Sequence, residues 1–323
     1  MEQSHLEELS RLGYTVVRGL FDRQTCARAR AAIDSVLGPE LAERVDVADE
    51  QRLGHNSGNA NYIHTVSHPN AALAAIAPAM PRLVAAHAAT LRCSDVSHTL
   101  LNGQHYIRTD PNPTAAPGRG LSWHVDNAFL HEHECSSPRQ VYTRSIVTLS
   151  KGGVLAGGGA VMISPASVAV TRSMVASFDP KNYHGARWRA DLVKQLTLEA
   201  ERGSHGTTLS TAAGLQEGVE ILTAEGDAVF FDAMSFHTAS PVTNGVPRYV
   251  LTTAMHDSRA LDLPHKLYQR AFSPEYVAAL VPSIRSICDW LEPFLAEHLK
   301  DAGDKSTQFW IYGCRRRAAA AAL

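Results

Sequence analysis

The sequence predicts a mainly β protein, a sandwich or barrel of the jelly-roll kind, with helices at both ends of the β-core. Three observations support that class. From about residue 97 to 257, short β-type runs recur at close spacing, broken by Gly and Pro: SHTLLNGQHYIR, LSWHVDNAF, QVYTRSIVTLS, GAVMISPAS, GVEILTA, DAVFFDAMSFH and RYVLTTAMHD. Helical patterning falls mostly outside this stretch. No Gly-, Ser- or Pro-rich linker marks a second domain. Residues 1–317 are therefore read as one domain, with the β-core at about 97–257 and a helical extension at 258–317.

The N-terminal stretch reads as helix, strand, helix. HLEELSRLG places Leu6, Leu9 and Leu12 at helical spacing and stops at Gly13, and YTVVRGLF is β-rich. DRQTCARARAAIDSVLG is a helix with Asp22 as N-cap and Gly38 as its end. Residues 45–70 read as a polar, irregular loop around HNSGNAN. Residues 71–92 are Ala-rich and helical, divided by Pro78 and Pro81. Residues 172–212 interrupt the strands with a polar, partly helical insertion. Beyond 258 the pattern returns to helix, a surface that would cover the barrel mouth, pack on the core or pair two copies of the chain.

Composition excludes several classes. The 323 residues carry 30 Lys+Arg against 32 Asp+Glu, so no overall field favours nucleic acid or an anionic membrane. The basic run Arg315–Arg317 reads as a solvated tail, and the closing AAAAAL as a vector-derived tail. No apolar run reaches the roughly 18 residues of a membrane span, and the N-terminus lacks a signal-peptide core. Cys26, Cys93, Cys135, Cys288 and Cys314 are odd in number and form no CxxC pair. That argues against a disulfide framework or thiolate zinc site, and a reduced, cytoplasmic setting is expected.

The chemistry concentrates in Ser122-Trp123-His124-Val125-Asp126-Asn127. On a strand, residues i and i+2 share a face, so His124 and Asp126 reach one metal while Trp123 and Val125 turn away. With 16 His in the chain, a His-x-Asp match arises by chance about once, so context decides. His237 supplies the context, standing at the end of the apolar run DAVFFDAMSFH. One imidazole added to His-x-Asp makes the two-histidine, one-carboxylate facial triad of non-haem Fe(II) oxygenases, with the opposite coordination face open. A turn-rich link containing Pro241, Asn244-Gly245 and Pro247 follows, then Arg248. If the link folds back as a turn, His237 and Arg248 lie side by side. A guanidinium there fits an α-keto diacid: one end chelates the metal and the far carboxylate takes a bidentate pair. Thr238 and Ser240 are expected to add hydroxyl hydrogen bonds.

On these residues the chain resembles the phytanoyl-CoA dioxygenase family of Fe(II)/2-oxoglutarate-dependent oxygenases. LGYTVVRGLFDRQTCARARAAID resembles the family's N-terminal strand–helix pattern and LSWHVDN its W-H-x-D segment. VTLSKGGVLAGGGAVMISPAS resembles its Gly-rich bend and PGSH segment, and GDAVFFDAMSFHTASPVTNGVPRYVLTT its distal-histidine segment. The resemblance implies a double-stranded β-helix core, with His124, Asp126 and His237 on iron and Arg248 on 2-oxoglutarate, with O2 as the further co-substrate. Looser matches imply co-substrate or substrate contacts from Gln104 and Tyr106. The resemblance as a whole also implies a small-molecule substrate of specialised metabolism, hydroxylated with release of succinate and CO2. Because Asp126 occupies the position that related halogenases leave open, halogenation is disfavoured against hydroxylation, desaturation, epoxidation or ring formation.

The chain also departs from the family. Its PGSH histidine is replaced in Pro165-Ala166-Ser167-Val168, and His131-Glu132-His133-Glu134 reads as an exposed polar turn. His184, Arg187, Trp188, Arg189 and Lys194 read as a solvated basic face, with an acidic-substrate lid as the alternative. His256 reads as a core histidine. Two competing classes remain: a cupin-like metal enzyme that does without 2-oxoglutarate and has no need of Arg248, and a non-catalytic binding module, which would more often have lost a ligand.

Overall fold

The computed structural model describes residues 1–43, 60–64, 76, 78–94, 99–111, 123–126, 142–176, 195–198 and 208–257. The helical extension after 258, the His131–Glu134 cluster, and His184, Arg187, Trp188, Arg189 and Lys194 lie outside these residues. So does most of the 172–212 insertion.

Helix α1 (Gln3–Leu12) ends where Gly13 takes a φ of 83° and its N–H meets the Leu9 carbonyl at 2.8 Å. Strand β1 (Tyr14–Val17) follows at once, then α2 (Arg23–Glu43). Asp22 caps α2 as expected, its Oδ1 accepting from the Thr25 amide at 2.6 Å. The helix does not stop at Gly38. It continues through the helix-forming Glu40-Leu41-Ala42-Glu43. Within the expected loop, Ala60–His64 form a strand, β2, because pairing with β3 (Thr99–Thr109) overrides a polar local sequence. Helix α3 (Met80–Thr90) begins with Pro81 in its first turn, where a missing N–H costs nothing.

The β-core is two facing antiparallel sheets. The larger has the order β1-β9-β4-β11-β3-β2, with β4 at Tyr142–Thr148, β9 at Ala228–Asp232 and β11 at Arg248–Asp257. The smaller runs β10-β5-β8, with β5 at Val161–Ile163, β8 at Val219–Ile221 and β10 at His237–Ala239. A residue bridge between His124 and His237 adds the His-x-Asp segment beyond β10. This is the double-stranded β-helix, or jelly roll, that the sequence implied. Two short strands, β6 (Thr197–Leu198) and β7 (Thr208–Leu209), pair outside it.

Strand parity divides the large sheet into two faces. One carries Tyr106, Val147, Phe230, Leu251 and Met255 and packs on residues of α2 and α3, such as Ile33, Leu83 and Val84. The other carries Val229, Phe231 and Ile146 and meets Val161, Ile163 and Ile221 of the small sheet, with Tyr14 and Val16 closing the end. Phe230 and Phe231, neighbours on β9, thus serve different cores, and burial of each contributes about 1.5–3 kcal/mol. The small sheet's outer face is covered by α4 (Ser167–Ala176) and by Leu196, Leu209 and Leu215. Among the described residues no helix is long and apolar enough to cross a membrane.

One sequence expectation needs correcting. The run DAVFFDAMSFH is not one strand ending at His237. β9 stops at Asp232, and His237 opens β10 in the other sheet. The reason is the segment Ala233–Phe236: the Ser235 amide donates to the Asp232 carbonyl at 2.8 Å and the Met234 amide to Asp232 Oδ1, also at 2.8 Å, which turns the chain across the barrel. Consequently β10 and β11 form no hairpin. β10 pairs with β5, and β11 pairs with β3 and β4.

Candidate metal centre

The structure brings His124, Asp126 and His237 together, with one ligand atom from each and all of these within 4.8 Å of one another. Backbone hydrogen bonds build this cluster. The His124 amide donates to the His237 carbonyl and the His237 amide to the His124 carbonyl, each at 2.9 Å. That reciprocal pair sets the two imidazoles side by side, with ring centroids 4.3 Å apart. Asp126 sits two residues on, and its carboxylate lies 3.5 Å from each histidine Nε2. On the opposite face Trp123 stacks on Phe236 at 5.5 Å, pinning both ligand-bearing segments from behind. Gly218 leaves room for that indole: a Cβ there would stand 2.5 Å from Trp123.

The donor set fits a first-row divalent metal. His237 Nδ1 is 2.9 Å from the Ser235 carbonyl, which calls for an N–H on Nδ1 and leaves the Nε2 lone pair facing the cluster. Burial disfavours a charge on Asp126, yet the Arg144 guanidinium, and after it His237 and His124, hold its carboxyl well below the usual carboxylate range. The carboxylate is thus ionised and available. Two imidazoles and one carboxylate on a single face suit non-haem iron and leave the opposite face for exogenous ligands.

Arg144 is the residue that sequence reading missed. It lies on β4, and its Nε is 2.6 Å from Asp126 Oδ2. It sits opposite Phe231 of β9, whose ring packs 4.7 Å from His237. The available signal was its place in the alternating run YTRSIVT, where a charge at an inward-facing position calls for a buried partner.

The structure also corrects four expected contacts. Gln104 and Tyr106 face away from the site. Gln104 donates to Thr253 Oγ1 at 3.1 Å and touches Met80 Sδ at 3.6 Å, and Tyr106 is fully buried in the helix-side core. Between them, His105 faces the interior, where desolvation and the charge of Arg144 push its pKa down to about 3 against a smaller opposing effect from Asp126. Thr238 and Ser240 likewise belong to the other side of the small sheet. Thr238 lies opposite Met162, one residue out of phase with His237, and Ser240 Oγ donates to Glu220 at 2.8 Å. Arg248 is buried at the head of β11, in phase with Val250 and Thr252 of the inner face. Its Cδ lies 2.9 Å from where a Cβ on Gly159 would stand, so that glycine makes room for the arginine. His256 lies on β11 opposite Tyr142 of β4 and Leu100 of β3.

The comparisons agree with this reading. The phytanoyl-CoA dioxygenase (PhyH) family model matches residues 9–155, a span that contains His124 and Asp126. No curated protein matches. Among solved structures, EvdO2 from Micromonospora carbonacea var. aurantiaca is similar at a TM-score of 0.53 and 17% identity, covering 83% of this chain and 96% of its own. The epimerase SnoN, solved with Fe3+, alpha ketoglutarate and nogalamycin RO, is similar at 0.51 and 17%, covering 81% and 90%. AviO1 from Streptomyces viridochromogenes Tue57 is similar at 0.50 and 16%, covering 81% and 97%. At these identities the likeness carries the fold, while the family match and the His-Asp-His cluster carry the chemistry. Over residues 9–155, less than half of its length, the chain is similar to the phytanoyl-CoA dioxygenase family, and its His-Asp-His cluster suits a non-haem iron centre.

Proposed function

We propose that the protein oxidises a small molecule of specialised metabolism, most simply by hydroxylation, with 2-oxoglutarate as co-substrate. The observation that carries this reading is the cluster of three ligand atoms on one side only, with the buried Arg248 on the inner wall of the same barrel. In support, SnoN is described as an alpha ketoglutarate-dependent epimerase from nogalamycin biosynthesis, and it shares the fold at a TM-score of 0.51.

In this reading His124, Asp126 and His237 hold the iron, and Arg248 takes the far carboxylate of 2-oxoglutarate. A guanidinium suits that role because its planar fork matches a carboxylate bidentately and stays charged when buried. Bound iron, with 2-oxoglutarate and O2, supplies the oxidising power; succinate and CO2 leave as co-products. The chain's own residues do the rest. His237 is held in one tautomer by Ser235, and Trp123 and Phe236 fix the two ligand segments from behind. The apolar wall of Val229, Phe231 and Ile146 keeps water from the inner end of the barrel. Asp126 fills the carboxylate position, which favours oxygen insertion over halogen transfer.

Anaerobic titration tests the proposal, because a ferrous 2-oxoglutarate chelate has a weak visible charge-transfer band. The wild type should show the band, and should release succinate when a substrate panel is screened. Arg248→Leu should keep iron but weaken 2-oxoglutarate binding by about 2–5 kcal/mol, roughly 30-fold or more, the usual cost of removing one partner of a buried charge pair. Absence of the band in the wild type would reject the reading. Equal 2-oxoglutarate affinity in the variant would reject the role of Arg248.

A further inference from the structure

We infer that Arg144 is a positioning residue for the metal centre: it holds the Asp126 carboxylate in the orientation that sets it beside both His124 and His237. The inference rests on the iron-site reading above and extends it to a residue outside the ligand set. Three observations carry it.

The first is contact. Arg144 Nε stands 2.6 Å from Asp126 Oδ2, whereas His124 Nε2 is nearest Oδ1, at 3.5 Å. His237 Nε2 stands 3.5 Å from that same Oδ2, so each carboxylate oxygen has one of the two histidines beside it and Arg144 braces the carboxylate from Oδ2. A carboxylate fixed in this way keeps the orientation in which it meets both imidazoles, the arrangement a shared metal requires.

The second is that the guanidinium is itself held. Tyr142, two residues earlier on the same face of β4, is buried in a cluster with Ala233 and Ala254. Arg144 is paired across the sheet with Phe231 on one side and Ala254 on the other, both in regular register. Its side chain is only 20% exposed, so it has little freedom to leave Asp126 for solvent.

The third is that no other described cation sits on Asp126: its charged neighbours are Arg144 and the two ligand histidines. Outer partners of metal ligands commonly decide both ligand orientation and affinity.

Orientation and bare electrostatics predict opposite outcomes. A cation near the site repels a dication, so if charge alone mattered, removing it would tighten iron binding. If Arg144 orients Asp126, its loss should loosen iron. The experiment is anaerobic Fe(II) titration of the full-length protein, read by the charge-transfer band with 2-oxoglutarate and, separately, by metal competition with a chromophoric chelator. Arg144→Met should weaken iron binding roughly 10–100-fold and shift the band, while the apoprotein keeps its circular dichroism. Arg144→Lys, which keeps the charge but loses the planar fork, should fall between the two. If Arg144→Met does not fold, Arg144→Lys carries the test with the same expected direction.

Unchanged or tighter iron binding with an unmoved band would overturn the inference. So would an effect confined to the KM of a substrate, which would make Arg144 a substrate contact. A wild type that shows no band at all would instead condemn the iron and 2-oxoglutarate reading, so the two failures are distinguishable.

Discussion

Gln104, His105 and Tyr106 are consecutive residues on β3, and a shift of one position separates the barrel interior from the helix-side core. The sequence pointed to Gln104 and Tyr106; the sheet turns His105 inward instead. Strand parity is readable from sequence only when the apolar alternation is clean, and in the run SHTLLNGQHYIR, with apolar residues on both faces, it is not. The structure therefore assigns different consequences to Tyr106 and His105. Tyr106→Ala should destabilise the protein by about 3–5 kcal/mol, the usual cost of emptying a large aromatic site, while 2-oxoglutarate affinity per folded molecule stays constant. His105→Ala should do the reverse, altering the charge-transfer band with a small change in unfolding midpoint. Denaturant melts alongside spectroscopic titration check both. The triad was legible for a different reason: His-x-Asp encodes a shared face locally, whatever the strand's wider pattern. Arg144 was not legible, because nothing in its neighbourhood shows what lies across the barrel.

At the scale of elements, the turn into α4 shows a local choice that the sequence states and the fold must accommodate. Ala166 takes a φ of 57°, the left-handed region that a Cβ disfavours. Its amide reaches back to the Leu12 carbonyl at 2.8 Å, and Ser167 Oγ accepts from the Phe236 amide at 2.9 Å. The turn thus braces α1 and the segment leading to His237, and these bonds keep it in a strained shape. Ala166→Gly should raise stability by about 1 kcal/mol without changing iron affinity; calorimetry of the two proteins measures it. Helices α1, α2 and α3 and most of the described strands were legible from caps, breakers and alternation. The break between β9 and β10 was not, because it depends on Asp232 bonding two backbone amides, an arrangement invisible in an apolar run. β2 was missed for a related reason, since its partner β3 supplies what its own composition lacks.

One buried histidine and the metal site shape the response of the whole molecule to its surroundings. His87 of α3 is enclosed between Ser145, 2.9 Å from its Nε2, and the edge of Phe230, and burial pushes its pKa down to about 3, with Arg144 adding to the effect. A histidine whose folded pKa lies below its unfolded value of about 6.5 takes up its proton mainly on unfolding. Its contribution is therefore fully present above pH 6.5 and is lost as pH falls toward 3. His87→Leu should make the acid limb of the stability curve shallower by about one proton, or ~1.4 kcal/mol per pH unit between pH 6 and 4. Denaturant melts of the metal-free protein across that range read the slope. Metal should act in the stabilising direction: Ni(II) at about 100 times its Kd adds about 2.7 kcal/mol, a rise in Tm of roughly 4 °C for a chain of this size. Asp126→Ala should abolish that rise.

The N-terminal strand has a consequence of its own. β1 lies along β9 from Tyr14 to Val17 and forms one border of the large sheet, and the chain is fastened there where the Phe21 amide meets the Gly226 carbonyl at 3.0 Å. Cutting away this ribbon would leave the apolar β9 with a row of unsatisfied amides and carbonyls, a template on which another molecule can add. Chains trimmed before Leu20 should accordingly clump with rising concentration, as light scattering would report, even though every iron ligand is still present.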